Sequence, residues 1–263
     1  MTLATQALAQ ASLCARGIFK DYGTVKVLKD VSISVAPGTT HAVIGPNGAG
    51  KTTLFRVLSG EALADRGEVA FEGQDVSRWS GYRRVRQGIG RTFQVAKVFS
   101  EMRVIDNVVL ALETGGSPAL RRSVWRFVQP APAAALRTQA MASLATVGLE
   151  ARAGEMAGVL AYGERKRLEL AMALALQPRM LLLDEPMAGM SPGDRISAVA
   201  LLKRIGRELG MSILLTEHDM SVVFALADHI TVLNYGQVIA SGTPEAVRAS
   251  PIVREVYLGH EHA

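Results

Sequence analysis

The sequence predicts an α/β fold with a parallel-sheet core, an antiparallel β subdomain and an inserted helical subdomain. The first observation is a set of short apolar strands that alternate with helical segments and each end in a polar residue. These core strands are predicted at 41–44, 89–93, 180–183 and 212–216. The second observation is the alternation of apolar and polar residues through 12–35, which is typical of half-buried strands. The third is the stretch 95–160, which is mostly helical by pattern and separates two core strands.

Length and composition agree with this fold class. At 263 residues the chain can form one large domain or two small ones with a buried core. Lys+Arg 29 against Asp+Glu 24 gives a net charge of +5, which we interpret as an ordinary surface. The single cysteine, Cys14, excludes an internal disulfide and fits a reducing compartment. The sequence has no apolar run of 18 residues that could span a membrane. Residues 1–15 contain no Lys or Arg, so a secretory signal is not expected there. We therefore expect a soluble, cytoplasmic protein with a loose N-terminal extension.

The antiparallel subdomain is predicted from the first strands of the chain. Residues 12–35 contain two strands on either side of a turn at 21–24, which carries an exposed aromatic residue, Tyr22. A further short strand at 66–73 ends in a turn. Because these strands lie outside the apolar core strands, we expect an antiparallel layer that packs on the α/β core.

A glycine-rich segment connects the predicted strand at 40–44 to a helix at 53–58. It reads Gly45-Pro46-Asn47-Gly48-Ala49-Gly50-Lys51-Thr52-Thr53 and fits the pattern G-x-x-x-x-G-K-[ST]. The order strand, glycine-rich turn and helix is what a phosphate-binding P-loop requires, because backbone N–H groups then converge on phosphate at the positive end of the helix. Lys51 would reach the β- and γ-phosphates and Thr52 would ligate Mg²⁺. The chain is therefore expected to bind a nucleoside triphosphate.

A cluster of arginines follows the strand at 66–73 and raises the question of nucleic-acid binding. Its members are Arg78, Arg83, Arg84, Arg86 and Arg91. Only Trp79 and Tyr82 accompany the cluster and no nucleic-acid-reading motif follows, so we interpret it as the solvated face of a helix and expect no nucleic-acid partner. Gln94 lies directly at the end of the next predicted core strand, 89–93.

The later elements return to the core. Amphipathic helices at 104–110 and 131–147, with loops at 115–118 and 129–132, form the helical subdomain. A long helix from 161 to about 176 precedes an apolar strand that ends in two carboxylates, Asp184 and Glu185. The remaining predicted elements are a helix at 191–209 opened by Ser191-Pro192, a strand at 211–216 that delivers His218, a helix at 220–227, strands at 229–234 and 237–241, and a short helix opened by Thr243-Pro244-Glu245.

Polar groups at the ends of four core strands should meet around one triphosphate, because the carboxyl ends of parallel strands share one sheet edge. Asp184 would hold Mg²⁺ directly or through water, and Gln94 would touch the metal or the water. Glu185 would orient or deprotonate the attacking water, and His218 would sense the γ-phosphate. Alone, Gln94 could be an exposed amide and His218 a core histidine. Their occurrence together in this order favours the nucleotide site.

This order of motifs resembles the ATP-binding subunit of ABC transporters over about residues 12–258. The resemblance is carried by the P-loop, Gln94, Leu160-Ala161-Tyr162-Gly163-Glu164, Leu183-Asp184-Glu185-Pro186 and His218. It implies a P-loop NTPase core that binds ATP and Mg²⁺ and hydrolyses ATP. It further implies that Tyr22 stacks on the adenine, that Gln94 faces the membrane subunit and that residues 189–192 form the D-loop.

The same resemblance implies a domain organisation and a dimer. The ATP-binding domain would span 12–247, with its helical subdomain at about 95–165, and a C-terminal extension would span 248–263. In the dimer, the signature segment, residues 160–164, of each subunit would cap the ATP held by the other subunit's P-loop. Ala161, Tyr162, Gly163 and Glu164 are then the residues that face the partner's ATP.

Several stretches are similar to the branched-chain (hydrophobic) amino acid importer group. These stretches are 91–94, 160–163, 188–192, 216–220 and 257–259. That group pairs two different ATPase subunits with two integral-membrane permease subunits and a periplasmic binding protein. The resemblance thus implies a peripheral position on the cytoplasmic face of the inner membrane, held through the permease. Urea and aromatic-acid importers share the pattern, and the motifs do not exclude a lipid or lipopolysaccharide exporter.

The signature segment departs from the family pattern Leu-Ser-Gly-Gly-Gln, because Ala161 replaces the serine and Tyr162 the first glycine. The serine hydroxyl usually donates to the γ-phosphate across the dimer. Gly163 N–H and the helix N-terminus would remain as donors. We hypothesise that the chain pairs with a non-identical ATPase subunit whose signature keeps the serine, which would make the two ATP sites unequal.

Other functions fit the sequence less well. DNA-repair members of the superfamily separate the two Walker motifs by a long coiled coil, whereas Lys51 and Asp184 lie an ordinary span apart. Ribosomal members carry two cassettes in one chain, and a small-molecule kinase would not need residues 160–164 or the histidine after the last core strand. The terminal His260 and His262 suggest a metal site, but a disordered tail is the better interpretation.

Overall fold

The computed structural model describes residues 11–115 and 133–258. The strands are β1 Leu13–Tyr22, β2 Val25–Val35, β3 Thr40–Ile44, β4 Arg66–Phe71, β5 Gln74–Asp75, β6 Ile89–Arg91, β7 Met180–Asp184, β8 Ser212–Thr216, β9 His229–Asn234 and β10 Gln237–Gly242. The α-helices are α1 Lys51–Ser59, α2 Gly81–Gln87, α3 Val104–Gly115, α4 Ala133–Thr146, α5 Tyr162–Ala175, α6 Pro192–Glu208, α7 Met220–Leu226, α8 Pro244–Ala249 and α9 Pro251–Leu258. The expectations for residues 1–10, for the loop positions 116–118 and 129–132 and for the terminal histidines lie outside the described residues.

The antiparallel subdomain is a four-stranded sheet with the order β2-β1-β4-β5. Strand β1 lies between β2 and β4, so that Leu13 faces Val35 on one side and Phe71 on the other. The alternating sequence of β2 buries Val31, Ile33 and Val35 and exposes the residues between them. The predicted antiparallel subdomain is confirmed.

The core is a six-stranded sheet with the order β10-β9-β3-β8-β7-β6, in which only β10 is antiparallel to its neighbour. The four core strands predicted from the sequence are the adjacent strands β3, β8, β7 and β6. Their carboxyl ends therefore lie along one edge of the sheet. This arrangement is the reason why groups far apart in sequence meet at a single site.

Both faces of the core sheet are covered, which explains why its strands are continuously apolar. Leu181 and Leu183 of β7 point into the core shared with the helices. Met180 and Leu182 point to the opposite face, into the core shared with α1 and the antiparallel sheet. The sheet thus separates two hydrophobic cores. Strand β7 is buried along its whole length and ends at Asp184, which Glu185 follows directly.

Strand β6 is shorter than predicted. The prediction was 89–93, whereas the strand ends at Arg91 and only Thr92 N continues the ladder, to Leu182 O at 3.0 Å. The next residue, Phe93, is held by side chains of α5 instead of by a strand. Gln94 therefore lies on a loop past the strand end and not on the strand itself.

The helical subdomain consists of α3, α4 and α5, packed on one another. The prediction of a mostly helical stretch at 95–160 is wrong for its first residues, because 95–103 form no helix. The buried Asn107 explains this: its side chain accepts from Phe99 N at 2.7 Å and donates to Phe99 O at 3.1 Å and Arg103 O at 2.9 Å. The amide thus satisfies an irregular backbone that would otherwise be unpaired.

The arginine cluster is not simply a solvated helix face, because Arg84 is 1% exposed. Its guanidinium donates to Val57 O and Leu58 O near the end of α1, each at 2.7 Å, and to Val76 O at 2.7 Å. Val57 O and Val76 O also accept from Gly60 N and Trp79 N, so the guanidinium adds a second hydrogen bond to each of these two carbonyls. Arg84 therefore joins α1 to α2, and the interpretation as a surface residue was wrong for this position.

A histidine pair, of which His41 is buried and His229 is partly exposed, links β3 to β9. His41 is 2% exposed, its Nε2 lies 2.9 Å from Thr231 Oγ1, and its ring centroid lies 4.8 Å from that of His229. Thr231 Oγ1 is in turn 3.0 Å from Ser241 Oγ. Burial, followed by the nearby charge of His229, lowers the pKa of His41 from 6.5 to about 3.

The His41 imidazole binds a proton near pH 6.5 in the unfolded chain and only near pH 3 in the folded chain. We therefore expect His41 to lower the free energy of unfolding as the pH falls between these values. The loss between pH 7 and pH 5 is about 2 kcal/mol of unfolding free energy. Urea unfolding at both pH values should show this loss in the wild type and not in His41→Gln. Parallel pH profiles for the two proteins would contradict the assignment to His41.

Candidate nucleotide site

The P-loop connects β3 to α1 at the carboxyl edge of the core sheet, as the sequence predicts. Gly45 allows a close backbone approach, since a Cβ there would lie 2.2 Å from Leu233 O of β9. Gly50 has φ +105° and sits directly before α1, so the loop turns sharply into the helix. The loop exposes Asn47, Gly48 and the following Thr52 to solvent. Its backbone is thus shaped as an open cradle at a helix N-terminus, the geometry that binds phosphate.

Lys51 is the first residue of α1 and its ammonium is folded back over the loop. Its Nζ donates to Gly45 O at 2.6 Å and to Pro46 O at 3.1 Å. The side chain is only 7% exposed, and this burial lowers its pKa. The nearby charges of Glu185 and then Asp184 act in the opposite direction. The P-loop lysine and the two carboxylates after β7 therefore share one electrostatic environment.

The two carboxylates are fixed by the neighbouring strand β8. Asp184 Oδ1 accepts from Thr216 Oγ1 at 2.8 Å, and the same hydroxyl accepts from Glu185 N at 3.0 Å. Asp184 Oδ2 also lies 3.8 Å from Arg91 Nη2. Glu185 has φ +46°, in the left-handed region, so the chain turns at this residue. The turn directs the adjacent carboxylates Asp184 and Glu185 to different sets of partners.

Glu185 stands between two of the predicted site residues. Its Oε2 accepts from Gln94 Nε2 at 2.7 Å, and its Oε1 lies 2.9 Å from His218 Nε2. The carboxylate side chain is 11% exposed, whereas that of His218 is 50% exposed. The structure thus brings Gln94, Asp184, Glu185, His218 and Lys51 together at one sheet edge.

The donor set suits Mg²⁺. Thr52, Asp184 and Gln94 offer hydroxyl, carboxylate and amide oxygens, which are the hard ligands that Mg²⁺ prefers. The described residues contain no group of three or more His, Cys, Asp or Glu side chains that could hold a metal. In nucleotide sites Mg²⁺ keeps several waters and takes one or two carboxylates together with substrate phosphates.

The signature segment lies at the N-terminus of α5. Within the described residues, no hydrogen bond or ion pair joins residues 161–164 to residues 45–53. Ala161 is exposed, and its N–H donates to Glu164 Oε2 at 2.9 Å. Ala161 has no side-chain acceptor of its own, so only the glutamate half of a capping box is present. The first-turn backbone N–H groups of α5 have no partner within the helix.

Tyr162 ties the signature segment to two other loops. Its hydroxyl lies 3.4 Å from Gln94 O, and its Cε1 lies 3.0 Å from the position that a Cβ of Gly189 would occupy. A Cβ on Gly163 would similarly lie 3.3 Å from Asp194 Cγ. The glycines at 163 and 189 thus leave room for close contacts of α5 with the first turn of α6 and with the predicted D-loop.

Tyr22 is at the end of β1 and not within the turn, which is formed by the two residues that follow it. Its side chain is 43% exposed, and the Lys20 ammonium lies 5.4 Å from its ring centroid. The β1–β2 hairpin reaches the P-loop through Val27 and Leu28, which contact Gly50 and Gly236. The ring is therefore exposed at the tip of the β1–β2 hairpin.

Sequence reasoning missed several residues that support the site. They are Arg91, Lys166, Glu169, Thr216 and Glu217. Each is buried or nearly so, and Glu217 Oε1 accepts from Met187 N at 2.9 Å in the loop after β7. Burial raises the pKa of Glu217, and the hydrogen bond from Met187 N acts in the opposite direction. Thr216 could have been found from the sequence, because it ends β8 as Asp184 ends β7. The charged residues of α5 could not, because charges on a helix usually indicate a solvated face.

The comparisons with known proteins agree with this geometry. The ABC transporter family model matches residues 28–188, and the model described as branched-chain amino acid ATP-binding cassette transporter matches residues 237–263. The chain is 36% identical to the high-affinity branched-chain amino acid transport ATP-binding protein BraF of Pseudomonas aeruginosa, over 92% of this chain and 96% of that protein. It is also 36% identical to LivG of Escherichia coli, a protein of the same description, over 96% of this chain and 99% of that protein.

Other relatives extend the range of functions. The lipopolysaccharide export system ATP-binding protein LptB of Acidithiobacillus ferridurans is 34% identical over 95% of this chain and 97% of that protein. The crystal structure of MJ1267, an ATP-binding cassette of an ABC transporter in its ADP conformation, superposes with a TM-score of 0.82 at 33% identity, over 95% of this chain and 99% of that one. None of the described helices is both long and apolar enough to cross a membrane.

The matched family model, the relatives along nearly the whole chain and the convergence of the P-loop with the carboxylates after β7 lead to one conclusion. The chain belongs to the ABC transporter family, as an ATP-binding cassette that hydrolyses ATP.

Proposed function

We propose that this chain is the ATPase subunit of an importer for branched-chain or related hydrophobic amino acids. The observation that carries the proposal is the grouping of Lys51, Gln94, Asp184, Glu185 and His218 at one sheet edge, in a chain whose C-terminal residues 237–263 match the branched-chain amino acid transporter model. The relatives BraF and LivG support the same solute class. The chain would bind peripherally to the cytoplasmic face of the inner membrane.

The geometry and the family resemblance support the following roles. The backbone of residues 45–53 and the Lys51 ammonium hold the phosphates of ATP, and Tyr22 stacks on the adenine. Thr52, Asp184 and Gln94 hold Mg²⁺, which when bound neutralises charge on the phosphate oxygens. Glu185 accepts the proton of the attacking water. Because its two oxygens already contact Gln94 and His218, the base is oriented before substrate arrives.

The proposed assembly contains a second ATP-binding subunit, two permease subunits and, indirectly, a periplasmic binding protein. Ala161, Tyr162, Gly163 and Glu164 would cap ATP bound to the second subunit, a role supported by the fact that, within the described residues, no hydrogen bond or ion pair joins them to the chain's own P-loop. ATP would close the dimer because it contacts both subunits only in the closed state. We propose the ATP-binding domain at 12–247, with a helical subdomain at about 95–165 and an extension at 248–263.

An apolar groove offers a place for the permease. It has a volume of about 290 Å³ and lies between α2 and the helical subdomain, lined by Tyr82, Phe99, Leu110, Met172 and Leu176 among others. Tyr82 and Phe99 are 62% and 51% exposed. A short amphipathic helix of a permease fits such a groove, with its apolar face buried.

The importer assignment is tested in a reconstituted complex. The chain would be purified with its permease and second ATPase subunit in vesicles, and hydrolysis would be measured with binding protein loaded with leucine, urea or no solute. We expect the amino acid to stimulate hydrolysis. Stimulation by lipopolysaccharide instead would favour the second candidate, an exporter ATPase, which the likeness to LptB supports.

Ala161→Ser tests the proposal of two unequal ATP sites. A serine at the exposed N-terminus of α5 would add one hydrogen bond to the γ-phosphate across the dimer, worth about 1.5–3 kcal/mol because the acceptor is charged. We expect ATP-driven association with the second subunit to tighten by about 10- to 100-fold, measured by light scattering or ultracentrifugation. Ala145→Ser, at an exposed position of α4, is the matched control. Equal association of wild type and Ala161→Ser would contradict the proposal.

A further inference from the structure

The loop that carries Gln94 has unusual attachments. Among the described residues, the backbone groups from Phe93 to Val98 make no backbone–backbone hydrogen bond. The last ladder contact is that of Thr92 with Leu182. The position of Gln94 must therefore depend on side chains.

Helix α5 supplies those side chains. Lys166 is 6% exposed, and its Nζ donates to Phe93 O at 2.9 Å and to Gln94 O. Glu169 is 5% exposed, and its Oε1 accepts from Phe93 N at 3.3 Å and from Lys97 N at 3.1 Å. The two residues are three apart and so lie on the same face of α5. Together they satisfy backbone donors and acceptors on both sides of Gln94.

Packing alone does not explain why the buried residues Lys166 and Glu169 are charged. Burying an ammonium and a carboxylate is costly, and apolar residues of similar size usually pack as well or better. The pKa of Lys166 is lowered by burial, and the pKa of Glu169 is raised by burial, which reflects this cost. Unlike apolar side chains, the charged groups form a fixed set of hydrogen bonds to the loop backbone.

We propose that Lys166 and Glu169 are positioning residues that hold the loop 93–97 against α5 and so present the Gln94 amide to Glu185. The contact that they support is the 2.7 Å hydrogen bond from Gln94 Nε2 to Glu185 Oε2. Tyr162, one turn before Lys166, adds a contact at 3.4 Å to Gln94 O. Neither Lys166 nor Glu169 touches the substrate, and both act through Gln94.

A double-mutant cycle tests this pathway. Lys166→Met should lower kcat for ATP hydrolysis about tenfold, because a loosened catalytic contact loses its alignment. KM for ATP should change less than twofold, since the P-loop is untouched. In a Gln94→Ala background, Lys166→Met should have no further effect on kcat. Lys203→Met, at an exposed position of α6, is the matched control and should leave both parameters unchanged.

Two further variants distinguish positioning from folding. Lys166→Arg keeps donors for the loop carbonyls and should recover part of kcat. Glu169→Ala should speed amide hydrogen exchange at Phe93 and Lys97 by tenfold or more while exchange in β7 stays slow. Additive kcat losses in the cycle, a KM that rises as much as kcat falls, or unchanged exchange in Glu169→Ala would each overturn the inference. These measurements need only ATP hydrolysis and amide exchange, so they do not depend on the transported solute.

Discussion

Glu185→Gln is expected to reduce ATP turnover by about 10²- to 10⁴-fold, the usual contribution of a general base. The amide keeps the size of the side chain and an oxygen for the contact with Gln94, but it cannot accept the proton of the attacking water. Phosphate release under saturating Mg²⁺ and ATP measures the loss. Because binding does not need the base, the variant should also accumulate as an ATP-bound dimer, which gel filtration with labelled ATP detects.

The matched control is Glu208→Gln, at an exposed position at the end of α6, which should hydrolyse ATP as the wild type does. Continued phosphate release by Glu185→Gln would remove this residue from the role of base. Loss of turnover without dimer accumulation would show that the glutamine also disturbs the closed state. The contacts of Glu185 with Gln94 and His218 argue against that second result, since an amide can satisfy both partners.

Lys51→Met is expected to weaken ATP binding by about 100-fold. The ammonium would exchange its present contacts with Gly45 O and Pro46 O for charged phosphate oxygens, and a charge-assisted hydrogen bond contributes about 1.5–3 kcal/mol. One such bond accounts for the predicted loss, since about 2.7 kcal/mol corresponds to 100-fold in affinity. Titration with a fluorescent ATP analogue measures the dissociation constant.

The control for this variant is again Lys203→Met, which removes an exposed lysine and should leave ATP affinity unchanged. Circular dichroism and urea unfolding should be recorded for both, because methionine leaves the Gly45 and Pro46 carbonyls without their donor. An affinity for ATP equal to that of the wild type, in a folded Lys51→Met protein, would contradict the phosphate role of the lysine.

Local patterns predicted the elements that define the nucleotide site. The apolar strands β3, β7 and β8 were found because their burial on both faces leaves a continuous apolar run, and polar residues mark where each ends. The P-loop was found because a glycine-rich turn between strand and helix has few other uses. In these cases the residue types alone carry the structural information.

Other features could not be predicted because they depend on partners distant in sequence. Arg84 reads as a surface residue until α1 places two carbonyl groups beside it. The true end of β6 depends on Lys166 and Glu169, which lie more than 70 positions away. A charge on a helix indicates a solvated face in most proteins, and no local pattern distinguishes the exceptions that bind backbone.

The left-handed backbone at Glu185 has a consequence for how this protein tolerates change. A residue with a side chain costs about 1–3 kcal/mol in that conformation, and glycine does not. Selection for thermal robustness alone would therefore favour a glycine at 185, which would remove the proposed catalytic base. With Glu185 in that proposed role, folding stability and catalysis make opposed demands on this position, and we expect the glutamate to persist only while turnover itself is under selection.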